Sequence, residues 1–500
     1  MSQEARGPGL SDPAGPAATL LQELRERARE EDVLGRLWRR DDTLFGPAGR
    51  PEVADRMGWL GSPAAMRAQT GDLGAFAAAC ADDGLERAVV LGIGGSSLAP
   101  LVFARSFAPR GLAVEVLDSS DGDALAATSA EGALVVTSSK SGGTTETRSQ
   151  LEYFWKRHHD PARFVVITDP GSELEDVARE RGFRRTFRND PEIGGRYSAL
   201  SFYGLVPAAL HGADLDALLD FDERHAARAG LDLGLTWAAH ARDGRDKLII
   251  RAPTAIATVG LWLEQLLAES LGKEGRGILP VADAPPGAEH GPDRQLFDTT
   301  AHGFTAPEDL GRLFFTTEVA TAVAGWALEV NPFDQPDVQA TKDAIVDILG
   351  DLPLPDEGEA GDEDLRALLD AQPPAYLALL AFVAPSSAID EAAATLRALL
   401  QERTGCATTF GYGPRYMHST GQLHKGGPPT GRFLQLVHGA DQDRDIPGRD
   451  FSFETLKSAQ ALGDLRTLRE RGRPAERLRL AGEDPAADLR QLTDRLQRLL

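Results

Sequence analysis

The chain has 500 residues, and its 53 basic side chains stand against 76 acidic ones, which leaves a formal net charge of −23. This acidity argues against nucleic acid or an anionic membrane surface as the main partner, so any phosphate site must be built locally, against the overall field. The length suggests two or three domains with large cores.

Cysteine usage and the N-terminal segment bear on the compartment. Cys80 and Cys406 are the only cysteines, and two distant thiols form neither a disulfide framework nor a cysteine zinc site, which suits a reducing interior. Residues 1–17 lack the basic segment and apolar core of a signal peptide, and no uncharged stretch of the sequence is apolar enough to span a membrane. We therefore expect a cytoplasmic protein.

The first half of the chain alternates predicted helices and strands. Residues 1–17 are rich in Gly, Pro and Ala and are expected to be disordered. An amphipathic helix is predicted at 18–39, and 40–62 is expected to be a packing arm with apolar anchors such as Trp59 and Leu60. Apolar runs of strand length then alternate with helical patterns, which predicts parallel strands with crossover helices. The predicted strands are 87–92, 113–118, 133–137 and 164–168, and a helical stretch is predicted at 198–229.

A second strand–helix series begins at 247–251. Its later predicted strands are 278–282, 295–299, 376–384, 407–411 and 432–437. The run 312–330 is apolar on successive helical turns and is predicted to be a helix despite its β-branched residues. The acidic stretch 355–364 is predicted to be a surface loop, and the chain from 450 onward to be helical and charged. The pattern as a whole predicts an α/β fold in two halves.

The segment 132–147, GALVVTSSKSGGTTET, is a buried strand that ends in hydroxyl and glycine residues. Lys140 adds a positive charge, and Gly142 and Gly143 let the backbone turn so that its N–H groups converge. A strand, such a loop and then a helix N-terminus together form a phosphate-binding arrangement. The alternative is an ordinary polar turn with a helix cap. No GxxxxGK-[ST] pattern is present, so a nucleoside triphosphate is not the expected ligand.

Two further glycine segments precede helices. LGIGGSSLAP at 91–100 follows a strand, and because it lacks the third glycine of GxGxxG, a sugar or phosphate fits it better than a dinucleotide. IGGRYSALSFYG at 193–204 clears space beside Arg196, which could stabilise a developing oxyanion. The alternative for Arg196 is a structural ion pair.

The segment 261–277, LWLEQLLAESLGKEGRG, contains a predicted helix that Gly272 can end, and Gln265 and Glu269 project from one face of it. A carboxylate near a helix end and among apolar residues can serve as a general base. On spacing alone, a solvated surface glutamate is the more common alternative.

The segment 411–428, GYGPRYMHSTGQLHKGGP, is dense in Gly, His and hydroxyl groups. Long polar glycine-rich loops are costly to order unless they serve a site. His418, His424 and Lys425 are therefore candidate acids, bases or ring-oxygen contacts, although either histidine alone would more often be an ordinary loop residue. The clustered third and fourth ligands of a zinc site are not evident.

These segments together resemble the glucose-6-phosphate isomerase family. GIGGSSLAP resembles its first glycine signature, SSKSGGTTET its phosphate loop, GGRYS its GGR-[FY]-S motif and QLLAESLGK its Q-x-x-x-E-S-x-GK motif. NPFDQPDVQ at 331–339 is similar to its fingerprint in the second half. GYGPRYMHSTGQLHKGGP and FSFETLKSAQALGD most resemble the isomerase portion of bifunctional transaldolase/glucose-6-phosphate isomerase proteins, although no part of the chain is left for a transaldolase barrel.

The resemblance implies a fold and a domain assignment. The fold would be two α/β/α sandwich domains of the sugar-isomerase (SIS) type with parallel sheets, plus helical N- and C-terminal arms. Residues 1–50 would then be a disordered start and helical arm, 51–235 the first SIS domain with the phosphate loop, 236–445 the second SIS domain, and 446–500 the C-terminal helical arm.

The resemblance also implies roles for single residues. Glu269 would be the base that moves a proton between C2 and C1 through a cis-enediolate, and Arg196 would stabilise the charge of the enediolate. Gln265 would line the site, and Lys425 would match the family's C-terminal lysine near the ring oxygen. The residues implied to bind phosphate are Ser139, Lys140, Ser141 and Thr144, and those implied to contact the sugar end are Gly95 and Ser96.

One segment departs from the family pattern. The family's NGQH segment supplies a ring-opening histidine from the neighbouring subunit, whereas the matching region here is HGPDRQLF. Asp293 or Arg294 takes the position of that histidine, and His290 is offset from it. Ring opening would then use His290, His424 or Lys425, or the enzyme would take open-chain sugar; His424 is our choice among these.

The implied activity is reversible isomerisation of glucose 6-phosphate and fructose 6-phosphate in glycolysis and gluconeogenesis, without metal or other cofactor. The implied partners are the sugar phosphate and a second copy in a homodimer, with neither nucleic acid nor membrane. Mannose 6-phosphate as an additional substrate is an alternative, as is association with a separately encoded transaldolase. A sugar-phosphate sensor built on SIS domains is a non-enzymatic alternative, against which the retained Glu269, Gln265 and Arg196 argue.

Overall fold

The computed structural model describes residues 15–355 and 357–499. The start that we predicted to be disordered falls mostly on residues 1–14, which lie outside the described residues, and a helix already begins at Pro16. The predicted acidic loop 355–364 includes Asp356, which also lies outside, and its end is helical from Asp362 onward.

The helices alternate with the strands through most of the chain. They are α1 (Pro16–Glu30), α2 (Val33–Trp38), α3 (Ser62–Arg67), α4 (Thr70–Asp82), α5 (Leu98–Ser106), α6 (Gly122–Ala127), α7 (Thr145–His158), α8 (Glu173–Arg181), α9 (Phe202–His211), α10 (Leu215–Leu219), α11 (Glu223–Arg242), α12 (Val259–Leu271), α13 (Leu310–Leu328), α14 (Val338–Gly350), α15 (Asp362–Leu369), α16 (Ser387–Thr404), α17 (Gly421–Gly426), α18 (Phe453–Glu470) and α19 (Pro485–Leu499). None of the helices in the described part of the chain is both long and apolar enough to cross a membrane.

The strands are short and lie in parallel sheets. They are β1 (Arg87–Leu91), β2 (Ala113–Leu117), β3 (Ala133–Ser138), β4 (Phe164–Thr168), β5 (Arg185–Arg188), β6 (Lys247–Arg251), β7 (Leu279–Val281), β8 (Arg294–Asp298), β9 (Tyr376–Phe382), β10 (Ala407–Tyr412), β11 (Gly431–Val437) and β12 (Ala475–Arg479). Hydrogen bonds order them as β2-β1-β3-β4-β5, β7-β6-β8 and β10-β9-β11-β12, and each of these neighbouring pairs is parallel. The predicted α/β fold with parallel sheets and the ten predicted strands are confirmed.

The structure differs from the prediction at four places. The predicted helix 18–39 is divided into α1 and α2 at Asp32, whose φ of 49° interrupts the helical backbone. The predicted helical stretch 198–229 comprises α9, α10 and the start of α11, and Gly212 ends α9 with a φ of 88°. Strands β5 and β12 were not predicted, and β12 interrupts the region from 450 onward that we expected to be helical.

Helix α12 and the loops after two neighbouring strands position the candidate site. In α12 every residue from Trp262 to Leu271 is buried, including its polar side chains. The loops after β1 and β3, strands that are neighbours in the first sheet, both open at the carboxyl edge of that sheet. Ligands of open α/β sheets bind at this edge, so the two loops predicted to contact a sugar phosphate share the expected location.

Candidate active site

Glu269 and Gln265 lie one turn apart on α12, and both are buried. Arg196 Nη1 donates to Oε1 of Glu269 over 3.0 Å, and Gln265 Nε2 donates to Oε2 over 3.0 Å. The side chains of Arg196 and Glu269 are 5% and 10% exposed. Because each carboxylate oxygen has a donor, the buried charge of Glu269 is compensated. This burial excludes the solvated surface glutamate that spacing alone left open.

The Arg196 guanidinium is fixed on its remaining sides. Its Nε donates to Ser270 Oγ over 2.9 Å, and its Nη2 donates to the backbone carbonyls of Pro332 and Asp334, each over 2.9 Å. Four acceptors on two segments thus hold one planar cation, an arrangement that favours a single orientation. The NPFD turn, residues 331–334 of the NPFDQPDVQ motif, therefore supports Arg196 through its carbonyl oxygens.

Lys273 binds the same NPFD turn from the other side, a contact that was not predicted from the sequence. Its ammonium donates to the carbonyls of Asn331 and Asp334 and, over 2.8 Å, to the Asp334 carboxylate. Burial and the neighbouring Arg196 lower the pKa of Lys273 to about 7, against the opposing attraction of Asp334. The lysine of the QLLAESLGK motif was the signal that could have indicated this position.

The two glycine loops touch each other next to this cluster. A Cβ on Gly95 would lie 2.1 Å from the carbonyl oxygen of Gly195, so only glycine allows these backbones to pass. Gly94 has a φ of +60° and lies against the carbonyl of His418 and the amide of Gln265. Ser96, predicted to contact sugar, follows in the same loop and is partly exposed. The structure therefore brings the first glycine signature to the α12 carboxylate.

The phosphate loop is organised by its own hydroxyl groups. Ser139 Oγ lies 3.1 Å from Thr144 Oγ1 and accepts from the backbone N–H of Gly142 over 3.2 Å. Ser141 Oγ accepts from the N–H of Gly143 over 3.3 Å. Thr144 occupies the N-cap position of α7, yet its side chain does not bond the first-turn amides. The positive end of α7 therefore remains available to an anion.

Lys140 is ion-paired within the loop region. Its ammonium binds the Asp169 carboxylate and donates to the carbonyl of Pro191 over 2.7 Å. Burial raises the pKa of Asp169, although the Lys140 cation opposes that rise. The Lys140 side chain is 27% exposed, so its cation remains partly accessible to solvent.

His418 connects the phosphate-loop helix to the α12 cluster. Its ring Nε2 lies 2.9 Å from Oε1 of Glu146, in the first turn of α7. Its backbone carbonyl accepts from Gln265 Nε2 over 2.9 Å, the same nitrogen that donates to Glu269. The phosphate loop, the glycine loops and the carboxylate thus lie around one site.

Lys425 and His424 are buried beside the site in other networks. Lys425 Nζ donates to Asp464 over 2.6 Å, and Tyr416 Oη donates to the other oxygen of that carboxylate over 2.6 Å. His424 Nδ1 lies 2.9 Å from Tyr376 Oη. Burial, reinforced by the Lys425 cation, lowers the pKa of His424 to about 3. Among the described residues, neither side chain hydrogen-bonds Glu269 or its partners.

The segment HGPDRQLF, 290–297, which stands where the family has its ring-opening histidine, has one exposed end and a buried middle. The His290 side chain is 82% exposed and its nearest carboxylate is Glu289, 3.8 Å away. Asp293 and Arg294 are buried and paired with each other over 3.0 Å, and Arg294 also donates to the carbonyl of Gly405. These contacts give Asp293 and Arg294 a structural role at the start of β8.

Comparison with known proteins finds relatives of this chain. A glucose-6-phosphate isomerase of Synechococcus sp. (strain JA-3-3Ab) is 34% identical over 213 residues, covering 37% of this chain and 39% of the relative. The glucose-6-phosphate isomerase of Rubrobacter xylanophilus is 28% identical over 352 residues, covering 52% of this chain and 82% of the relative. The chain is related by sequence to the glucose-6-phosphate isomerases. No protein-family model matches the chain.

The similarity in sequence and fold extends over part of the chain. In the first curated glucose-6-phosphate isomerases matched, the aligned region spans half of the relative's length or less. A crystal structure of a glucose-6-phosphate isomerase from Chlamydia trachomatis superposes with a TM-score of 0.53 at 19% identity, covering 66% of this chain and 86% of that chain. That likeness shows a shared fold, in agreement with the predicted sugar-isomerase architecture.

Proposed function

We propose that this chain catalyses the reversible isomerisation of glucose 6-phosphate and fructose 6-phosphate. The phosphate is a handle that is not transferred: it binds at the loop of Ser139, Lys140, Ser141 and Thr144, where hydroxyls, backbone amides and the start of α7 supply donors. Gly95 and Ser96 hold the sugar chain beside α12. The open-chain sugar then presents C1 and C2 to the Glu269 carboxylate.

Glu269 takes the proton from one of these carbons and returns it to the other through a cis-enediolate. Arg196 is adjacent to that carboxylate and stabilises the negative charge that the enediolate develops. Gln265 holds the second carboxylate oxygen and so fixes the direction in which the base points. Lys425, which is buried with Asp464, acts near the ring oxygen in this proposal, as the family resemblance implies.

The observation that carries the proposal is the Arg196–Glu269 contact. It joins two motifs 73 residues apart in a buried place, and each guanidinium nitrogen of the arginine donates to a defined acceptor. A sensor that only binds sugar phosphate needs no buried carboxylate paired with an arginine. A base together with an anion stabiliser is what enediolate chemistry requires.

The test is a coupled assay in which fructose 6-phosphate is supplied and glucose 6-phosphate is detected. Glu269→Gln removes the base and should lower kcat by about 10²- to 10⁴-fold, the usual contribution of a general base. Glu264→Gln is the matched control, because Glu264 is the buried neighbour on α12 that accepts from the N–H of Ala282. Burial raises the pKa of Glu264 to about 8, so a neutral amide resembles its state at pH 7.

Equal activity in both variants and the wild type would refute the mechanism. Binding of sugar phosphate without turnover by the wild type would support the sensor instead. We also propose that the protein acts as a cytoplasmic homodimer in glycolysis and gluconeogenesis; sedimentation would test the dimer, and co-purification would test an association with a transaldolase.

A further inference from the structure

Glu146 holds His418 in a fixed position. The bonded carboxylate oxygen, Oε1, also accepts from Gln460 Nε2 over 2.7 Å, and the amide oxygen of Gln460 accepts from Ser120 Oγ over 2.7 Å. Glu146 is 8% exposed as a side chain, whereas the His418 ring is 26% exposed. The buried Glu146 carboxylate, which has two hydrogen-bond partners, thus supports a His418 ring that remains accessible to solvent.

The Glu146 carboxylate sets which nitrogen of the His418 ring faces away from it. Burial raises the pKa of this carboxyl group, but the charge and hydrogen bond of His418, a backbone hydrogen bond and the Lys342 cation together outweigh burial, and the pKa of Glu146 is lowered. Nε2 lies 2.9 Å from that carboxylate, so Nδ1 is the ring nitrogen that faces away from it. Within residues 15–355 and 357–499, no protein group is hydrogen-bonded to His418 Nδ1, so that nitrogen is the one that can meet a ligand.

His418 is also close to the proposed base. Its carbonyl shares the Gln265 amide nitrogen with Glu269, at 2.9 and 3.0 Å respectively. Its backbone and Cβ lie against Gly94, in the loop predicted to contact sugar. The other histidines considered for ring opening lack this placement: His424 is enclosed by Tyr376 and its neighbours, and His290 projects into solvent.

We propose that His418, positioned by Glu146, is the acid that opens the sugar ring, and that it comes from the same chain as Glu269. This inference rests on the isomerase function proposed above. The Nδ1 proton of the imidazolium passes to the ring oxygen as the bond between that oxygen and the anomeric carbon breaks. The anomeric hydroxyl gives its proton to water, and its O–H electron pair becomes the second bond of the carbonyl. Ring closure in the product reverses these transfers and restores the imidazolium.

One consequence concerns the subunits. The family resemblance implies a histidine from the neighbouring subunit, whereas the Glu146–His418 pair and the Arg196–Glu269 pair both lie within one chain. Each chain therefore carries its own acid and its own base, and dimer formation is not needed to assemble them.

The first experiment separates ring opening from proton transfer. Wild type, His418→Gln, Glu269→Gln and His290→Gln are compared on fructose 6-phosphate and on 5-deoxyfructose 6-phosphate, which lacks the hydroxyl that closes its ring. Exchange of the C1 proton in D₂O is followed by NMR for both substrates. His418→Gln should lose about 100-fold on fructose 6-phosphate, the scale of a general acid, and less than about threefold on the deoxy compound.

The variants give distinct outcomes. Glu269→Gln should lose activity on both substrates, and the exposed His290→Gln on neither. If His418→Gln loses activity equally on both substrates, or loses none on fructose 6-phosphate, the ring-opening role of His418 is overturned. A wild type that exchanges neither substrate would instead refute the isomerase function itself.

The second experiment tests whether acid and base belong to one chain. His418→Gln and Glu269→Gln chains carrying different affinity tags are co-expressed, and mixed dimers are isolated by both tags. If acid and base belong to one chain, one site of the mixed dimer lacks His418 and the other lacks Glu269. The mixed dimer is then as inactive as the two homodimeric variants. Recovery of about half of the wild-type activity would show that the histidine acts across the interface and would overturn the proposal. If the chain sediments as a monomer, full activity of that monomer gives the same answer as inactive mixed dimers.

Discussion

Arg196 and Lys273 donate hydrogen bonds to the same oxygen atom, the backbone carbonyl of Asp334. Arg196 also binds the carbonyl of Pro332, and Lys273 that of Asn331. The NPFD turn is thus held between two buried cations, one of which contacts the proposed base. The position of Arg196 depends on a turn that Lys273 keeps in place.

Lys273→Met is expected to lower kcat by about 10- to 100-fold while KM changes little. Removing the ammonium leaves buried carbonyl oxygens without a donor, at a cost of about 1–3 kcal/mol each, so the turn shifts and Arg196 with it. Arg196 acts on the enediolate, so its displacement affects the chemical step more than substrate binding. Steady-state kinetics in the coupled assay give the two parameters separately.

Lys247→Met is the matched control for this change. Lys247 is equally buried and pairs with Asp246 over 2.6 Å, but it lies in β6 and touches neither Arg196 nor the NPFD turn. Both variants should lose stability in urea unfolding, and only Lys273→Met should lose kcat. A similar fall in kcat for both would mean that Lys273 contributes to stability alone.

Gly95→Ala is expected to abolish most activity in a folded protein. The added Cβ would fall 2.1 Å from the carbonyl oxygen of Gly195, so the two loops must separate next to Arg196. A displacement of about 1 Å in a positioning element can cost about 10²-fold in rate. Gly74→Ala in α4 is the control, because its Cβ meets nothing within 4 Å and should stabilise the helix by about 0.5–1 kcal/mol. Unchanged kcat/KM in Gly95→Ala would show that the loops tolerate separation.

The sequence was sufficient for the strands that contain apolar runs and insufficient for two charged strands at sheet edges. Strands such as β3 and β4 are buried throughout and appear as short apolar runs. Strands β5 and β12 lie at sheet edges, and their sequences RTFR and AERLR carry charged side chains that face solvent. Such segments show no apolar run, so a pattern based on apolar residues does not detect them.

The motifs could be located from sequence, but their mutual contacts could not. Glu269 and Arg196 were identified as candidates within separate segments, and the family resemblance assigned their roles. The His418–Glu146 pair joins residues 272 positions apart, and Lys273 contacts a turn about 60 positions away. No periodicity within one segment carries that information, since it depends on how the two halves of the chain pack.

His424 is expected to make the fold sensitive to acid without taking part in catalysis. Its folded pKa is about 3 and its ordinary value 6.5, so between these values the unfolded chain binds the extra proton. Stability is therefore full above pH 6.5 and falls as the pH drops toward 3, by about 1 kcal/mol per pH unit. His424→Gln removes this titration, keeps a partner for Tyr376 and should flatten the dependence.

The measurement is urea unfolding of the wild type, His424→Gln and His290→Gln between about pH 7.5 and 5.5. As the pH is lowered, the stability of His290→Gln should fall as much as that of the wild type, because His290 is exposed and its replacement leaves the buried His424 ring in place. Parallel pH profiles for the wild type and His424→Gln would contradict a neutral buried histidine. At neutral pH, kcat of His424→Gln should stay within about threefold of the wild type, because no charged His424 is present to donate a proton. A loss of about 100-fold, confined to cyclic substrate, would instead make His424 the ring-opening residue.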